Sequence, residues 1–558
     1  MARLVAVLVL AALFAVPAAA RAQSPGGHLD VLSAADVDSL DPGYWYYQYD
    51  YMALGQTTQR WLYAWEPGQT TPTPDVAAAM PETSADGKTV TIRIRPGIRY
   101  SAPLAGRTVT AADVAYALTR DLEPRTANGY AGAYYAVIKG ARAVLAGRTT
   151  TLAGVETPDA NTLVLHLTRP SGAISTAQAL ALPGTIPVPE DYAKRYDRGR
   201  ESSYGRHAVF TGPYMVTRYE AGRRIDLARN PDWNGRDTGD FRPAYLDSIT
   251  FSGGNGIGAA SRRILTGSRM VSGDFAAPPS DVLRSAPPAQ LATEPSGSVR
   301  FIALDTRIRP FGNVNARRAV AAAIDKTTLR LTRGGPPLGT IATHILPPGI
   351  AGFDEAGGAA GPGFDFTRNP SGSLRLARRY LRRAGYRSGR YRGPALLMVG
   401  DDQPPASKTA LAVRSQLQRL GFRFRLRRVS HPTMLSRYCA RPRAAVAICP
   451  NLGWGKDFFD AQSFLDPMFN GANIAQTSNS NFAQVDSRRI NRELNRADAL
   501  SDPAARARAY AQVDRQVTGQ AYLIPWIWDN DILLRSGDVN GVVSTFNSTW
   551  DLTFTAVQ

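Results

Sequence analysis

Ala395-Leu396-Leu397-Met398-Val399 opens the segment that decides the fold. The run is short and apolar, as a buried strand requires. Ala410, Val413, Leu417 and Leu420 then recur at helical spacing, and Gly421 stands where a helix C-terminus favours glycine. Phe422, Phe424 and Leu426 alternate with arginines in a second strand. Strand, helix and strand in this order predict a right-handed crossover joining two parallel strands, hence an α/β fold. An amphipathic helix with Leu374, Ala377, Leu381 and Ala384 on one stripe, stopping at Gly385, agrees.

Downstream, Ala444-Ala445-Val446-Ala447-Ile448 reads as a third strand leading to Gly453-Trp454-Gly455-Lys456-Asp457-Phe458-Phe459-Asp460. In open α/β sheets ligands gather beyond the carboxyl ends of strands. There the glycines admit a second backbone, the indole offers a flat apolar wall, and an acid can pair with a cation. The plainer reading is a strand-to-helix turn with Asp457 or Asp460 capping the next helix.

Strand signals dominate the first half. Val90 to Arg95 alternates and ends at Pro96-Gly97, Asn161 to Thr168 is a second strand, and Thr110 with Asp113 starts a helix over Val114–Leu122. Proline and glycine clusters at 277–288, 334–349 and 356–363 mark surface connections. Arg3, the apolar run from Leu4 to Ala20 and the small-x-small site Ala20-Arg21-Ala22 read as a secretory signal over residues 1–22. No cysteine lies near the cleavage site to carry a lipid, so the protein is expected outside the cytoplasmic membrane, with retention as an uncleaved anchor the alternative. The remaining chain is too long for one core and predicts two or three domains.

The formal charge of +19 comes mostly from arginines scattered over helices and strands. With no nucleic-acid-binding signature beside it, this charge belongs to solvated surface. Cys439 and Cys449, ten apart, either close a small disulfide loop or remain two buried thiols. The five histidines are dispersed, and no nucleophile elbow, metalloprotease helix or phosphate loop is present, so neither catalysis nor a metal cofactor is expected. Gly254-Asn255-Gly256-Ile257-Gly258-Ala259 after a strand, with Asp274 twenty residues on, imitates a dinucleotide fingerprint. A flexible turn before a helix accounts for it, and an exported protein has little use for a nicotinamide site. Tyr44-Trp45-Tyr46-Tyr47-Gln48-Tyr49 is too aromatic for every ring to face one side of a strand, so some of its rings are expected in a cleft.

Several stretches, in order, resemble one family. They are Ser39-Leu40-Asp41-Pro42, Pro74-Asp75-Val76-Ala77, Asp86 to Gly97, Val109 to Ala117, Gly212-Pro213-Tyr214, Arg229-Asn230-Pro231-Asp232-Trp233, Arg317 to Asp325, Ile524-Pro525 and Asn540-Gly541-Val542. The chain resembles the extracytoplasmic solute-binding proteins of ABC importers, in the group that binds oligopeptides and dipeptides.

The resemblance implies a type II periplasmic-binding fold without enzymatic activity. Its parts would be a discontinuous lobe (27–65, 206–300 and 526–558), an inserted α/β domain (66–205) and a second lobe (301–525), closing by hinge bending on a peptide or peptide-like solute. It implies a monomer that hands its cargo to permease subunits. Carried over by position, the ligand pairs with Tyr46-Tyr47-Gln48, next to Trp45, and with Gly453-Trp454-Gly455, and its ammonium meets Asp457. An extended ligand is then held by backbone hydrogen bonds indifferent to its sequence. Departures exist: Asp457-Phe458-Phe459-Asp460-Ala461 replaces a common Asp-Tyr-Pro-Asp-Pro, and Asn451 stands where some oligopeptide binders carry an arginine for the ligand carboxylate. The alternatives are a carrier of an oligosaccharide or metal chelate, a secreted hydrolase, and a sensor subunit.

Overall fold

The computed structural model describes residues 25–558 apart from 127, 274–276 and 477. The export signal read at 1–22 and Asp274 lie outside the described residues. Among those described, no helix is long and apolar enough to cross a membrane.

Three sheets organise the chain. The first has the order Met270–Ser272, His28–Leu32, Ser248–Ser252, Arg224–Arg229, Tyr214–Glu220, with His28–Leu32 parallel to both its neighbours. The second is antiparallel and built from Glu82–Thr83, Thr89–Arg93, Thr162–His166 and Val155–Asp159. Its centre follows the alternation in the sequence: Val90, Ile92, Leu163 and Leu165 are fully buried, while Arg93 is exposed. The helix Ala111–Leu122 covers it, and Asp113 accepts from the Thr110 backbone N–H at 3.0 Å, the reciprocal half of a capping box.

The third sheet is mixed, in the order Gly339–Thr340, Leu523–Leu534, Leu291–Leu304, Ile448–Gly455, Leu396–Asp401, Phe424–Val429. Leu396–Asp401 and Phe424–Val429 are parallel and joined through the helix Ala406–Gln418, as the sequence predicts. Gly421 follows that helix at φ +89°. The helices Val314–Ala323, Leu374–Arg383 and Ala406–Gln418 bury Val320, Leu381, Val413 and Leu417 against this sheet.

The third predicted strand is displaced. Pro442–Ala444 forms a 3₁₀ turn, Ala445 takes φ +48°, and the strand runs from Ile448 to Gly455. Glycine, proline and asparagine are poor strand formers, but pairing with Leu291–Leu304 overrides their propensity. Ser298, Val299 and Arg300 lie opposite Gly455, Trp454 and Gly453, and the register slips between Phe301 and Ala303, where Pro450 and Asn451 are accommodated in a bulge. Gly453-Trp454-Gly455 thus ends a strand and does not form the loop after one.

Several motif residues are girders. Asp41 receives Arg120 Nη1 at 2.7 Å, and Arg120 Nε reaches Asp197 at 2.7 Å, all three nearly inaccessible. Asp75 binds Arg60, and Arg242 reaches it at 3.1 Å. Arg317 donates to the carbonyls of Gln520 and Phe311. A buried guanidinium tolerates desolvation only when its donors are filled.

Cys439 and Cys449 form a disulfide with Cα atoms 6.2 Å apart, joining the helical turn Leu435–Cys439 to the start of the Ile448–Gly455 strand. Thiol labelling of the unfolded, unreduced protein is therefore expected to find no reactive cysteine, and reduction to cost about 2–3 kcal/mol in denaturant melts, as expected for so short a loop. Asp41→Ala removes charged hydrogen bonds from Arg120 but leaves Asp197 in place. Chemical denaturation should show a loss of about 1.5–3 kcal/mol.

Candidate binding site

The strand Ile448–Gly455 is paired along its length on one edge only. Toward Leu396–Asp401 it makes a single contact, Met398 opposite Ile448, and beyond it no described strand covers the second edge. That edge borders a cavity of about 470 Å³ lined by Gly453, Trp454, Gly455, Lys456 and Asp457. Across the cavity stand Tyr46, Tyr47, Tyr49, Tyr51, Tyr130, Phe546 and Asn547. The site thus draws on the third sheet, on segments beside the first two, and on the loop between Val539–Ser544 and Thr549–Val557.

Trp454 is half-buried, its indole N–H held by the Ser463 carbonyl at 2.7 Å, which fixes the ring as one wall. Lys456 points away from the ligand space. Its Nζ donates to the Ser296 carbonyl at 2.9 Å, and burial pushes its ammonium down to about 8. Asp457 follows at the cleft floor, half-buried, with the Tyr134 hydroxyl as its hydrogen-bond donor. Burial lifts its carboxyl to about 7, and one phenol offsets only part of that. No cation lies within ion-pair distance of it among the described residues.

The neighbouring acid is differently employed. Asp460 is clamped by Arg506, with Nε and Nη2 at 2.9 and 3.0 Å, and accepts from the Gln462 backbone N–H at 2.8 Å at the start of the helix Gln462–Phe469. Of the two carboxylates in the motif, Asp460 is structural and Asp457 faces the cavity without a cation.

The aromatic cluster divides. Trp45 is fully buried and donates to the Ser39 carbonyl at 2.8 Å, so it belongs to the core and not to the ligand face expected of it. Tyr46 and Tyr47 are 36% and 52% exposed and present their rings to the cavity. They provide no free strand edge here. Both backbone N–H groups turn to the Asp50 carboxylate at 3.4 and 3.2 Å, and the Tyr46 carbonyl accepts from Tyr130. Gln48 opens the helical turn Gln48–Asp50. An acidic side chain three or four residues away has captured the amides that an added strand would need.

Sequence reading missed Tyr130, Tyr134, Arg300, Asp529 and Asn547. Each comes from a segment distant in sequence and carries no local signal beyond residue type. Phe458 and Phe459, which sit between the two acids, are tied across the cleft: Phe458 lies 4.8 Å from the Tyr134 ring, and Phe459 5.2 Å from Trp65, which itself stacks on Phe546.

Comparison with known proteins agrees with this architecture. The family model described as bacterial extracellular solute-binding proteins, family 5 middle, matches residues 71–476. The solved structure of clavulanic acid biosynthesis oligopeptide binding protein 2 superposes with a TM-score of 0.84 at 29% identity, covering 96% of each chain. Di/tripeptide-binding protein 4 of Pseudomonas aeruginosa is 25% identical over 510 residues, 88% of this chain and 87% of its own. A probable deoxycholate-binding periplasmic protein of Escherichia coli, YgiS, is 25% identical over 464 residues, 82% of this chain and 80% of its own. The α/β fold is that of the periplasmic-binding proteins, and the chain belongs to the bacterial extracellular solute-binding proteins of family 5.

Proposed function

We propose that the protein is the extracytoplasmic substrate-binding component of an ABC import system, capturing peptides or peptide-like solutes that carry a free ammonium. One observation carries the reading: among the described residues, a strand edge left unpaired from Cys449 to Gly455 runs out at a carboxylate that has no cation. An extended peptide adds to the edge through its backbone, and its ammonium supplies the charge that Asp457 lacks. The di/tripeptide-binding relative supports the same cargo class. Tyr46, Tyr47 and Trp454 then form apolar walls for ligand side chains, and Gly453 and Gly455 leave room for the backbone between them.

Segments 27–65, 206–300 and 526–558, with the inserted domain 66–205, would form one side of the cleft, and 301–525 the other. The long strands Leu291–Leu304 and Leu523–Leu534 cross between them, so these are the hinge. Binding shifts an open–closed equilibrium toward the form in which Tyr134 and Asp457 meet. The protein acts as a monomer without cofactor or turnover and delivers its ligand to permease subunits.

Mass spectrometry of small molecules released by denaturing the purified protein tests this directly. Peptides with free amines are expected; a neutral sugar or an amphiphile without an ammonium would overturn the reading. Asp457→Asn should weaken free-amine peptides by about 3–5 kcal/mol, two to four orders of magnitude in Kd by calorimetry, and N-acetylated ones little.

The pH dependence has two opposite signs. A carboxyl raised to about 7 in the folded, ligand-free protein gives stability that is full below about 4, the unfolded value, and is lost as pH rises through 7. Asp457→Asn should therefore raise the ligand-free melting temperature relative to wild type at pH 8 and not at pH 4. Ligand binding needs the ionised form. Affinity should climb tenfold per pH unit up to about 7, then decline above about 8 as the peptide amine loses its proton. A flat profile between pH 5 and 7 would remove Asp457 from the ammonium site.

A further inference from the structure

Two groups lining the cleft have polar atoms without a hydrogen-bond partner among the described residues. Asn547 is fully buried, yet neither its amide oxygen nor its amide nitrogen has a hydrogen-bond partner among the described residues. It lies on the cavity wall opposite the free strand edge. A buried primary amide left empty is costly, and Leu at the same place would fill the volume without that cost. Its neighbour Ser548 donates to the Pro295 carbonyl at 3.1 Å, three residues before Ser298, which pairs with Gly455. This places Asn547 at the Gly455 end of the strand, near Asp457.

Arg300 marks the other end. Its Nε is fixed by Asp529 at 2.7 Å, while Nη1 and Nη2 donate to no protein group among the described residues. The register sets it opposite Gly453, and a methyl group on Gly453 would meet Nη1 at 3.2 Å, so the guanidinium lies directly beside the free edge. Asp529 also binds Arg333 through Nε and Nη2 at 2.7 and 3.0 Å. One carboxylate shared by two guanidiniums leaves the Nη groups of Arg300 without a direct carboxylate contact. Asp531, Lys456 and Arg333 are the other charges near this group, and Asp531 forms no ion pair within 4 Å among the described residues.

We propose that Arg300 receives the terminal carboxylate of the ligand and that Asn547 reads a peptide group between it and the ammonium, so the cargo is a short zwitterionic peptide. The inference rests on the peptide-binding reading above. From Gly453 to Asp457 is four residues of chain, at most about 13 Å, and an extended peptide spans about 3.5 Å per residue. With side chains reaching inward from both ends, about two to four residues fit. A bidentate guanidinium–carboxylate pair fixes the ligand's end as well as its charge.

The test presents random di-, tri-, tetra- and octapeptide mixtures to the ligand-stripped protein in three forms: free, N-acetylated and C-amidated. Bound peptide is quantified by ultrafiltration and mass spectrometry. Wild type should retain free di- to tetrapeptides about tenfold to a hundredfold better than their amides, and octapeptides poorly. Arg300→Met should abolish the preference for acid over amide while keeping that for free over acetylated amines, and Arg300→Lys should restore part of it. A merely structural Arg300 would not move that ratio. Asn547→Leu should weaken free and amidated peptides alike while leaving the ligand-free melting temperature unchanged or raised.

Equal retention of acids and amides by wild type, or an acid preference that survives Arg300→Met, overturns the carboxylate site while the peptide reading stands. Octapeptides held as well as tripeptides overturn the length limit. Undiminished capture by Asn547→Leu removes the amide contact. Retention of no peptide in any form by wild type defeats both readings together. Should Arg300→Met fail to fold, the wild-type comparison of acid with amide still decides whether a carboxylate is read.

Discussion

The antiparallel pairing of Leu291–Leu304 with Leu523–Leu534 is the constraint on which the molecule depends, because the longer of its two interruptions sits beside the candidate cleft. The ladder runs from Leu291 opposite Leu534 to Pro295 opposite Asn530, stops, and resumes at Val299 opposite Trp528. In the gap Ser296 donates to the Asp529 carbonyl at 3.0 Å, and Gly297 takes φ +63°. Lys456 closes the gap from outside: its backbone N–H reaches the Gly297 carbonyl at 3.0 Å and its Nζ the Ser296 carbonyl. A side chain at Gly297 would collide with that lysine, its Cβ standing 2.7 Å from Lys456 Cδ. The residue immediately before Asp457 is therefore tied to the gap through both main chain and side chain. The carboxylate's place is set by the interruption in these two long strands.

Much of this was legible in the sequence, and the reason differs by element. Period-two alternation at Val90–Ile92 and Leu163–Leu165 reports half-buried antiparallel strands directly. The helix Ala406–Gln418 and its flanking strands follow from a change of period within one short segment. Ile448–Gly455 was misplaced because it is a strand by pairing and not by propensity: its glycines, proline and asparagine describe a turn until Leu291–Leu304 lies beside them. Trp45 was misassigned for a related reason. Composition announces that the 44–49 cluster contains both core and cleft residues but cannot say which ring goes where, and the Ser39 carbonyl that holds Trp45 inward is itself placed by the fold.

The motifs that reveal the family are mostly not the residues that line the candidate cleft. Asp41 and Asp75 anchor buried guanidiniums, Arg317 anchors carbonyls, and Asn230 donates to the Gly212 carbonyl at 3.0 Å. Such networks fail if one member is lost, since the partner stays buried and charged. Arg300 and Asn547 face the opposite situation. Among the described residues Asn547 has no hydrogen-bond partner and Arg300 has only Asp529, so replacing either disturbs few contacts, and a single sequence offers no sign that marks them.

Charge economy separates the two acids of the Asp457–Asp460 motif. Asp460 meets Arg506, whose remaining donors fill the carbonyls of Ala497, Asp498 and Leu500; that set is complete, and it holds the helix Gln462–Phe469 against its neighbours. Asp457 is left with a phenol and a raised pKa, Asn547 with nothing, and Arg300 with half of its guanidinium unused. Incomplete polar groups are destabilising in proportion to their burial, and here the buried Asn547 and the partly buried Asp457 and Arg300 line one cavity. A ligand that completed all three, as proposed, would recover the cost of each on binding without requiring new side-chain positions. Under that proposal the site is organised before its ligand arrives, and the free energy withheld from the empty protein would distinguish a fully complementary cargo from a partial one.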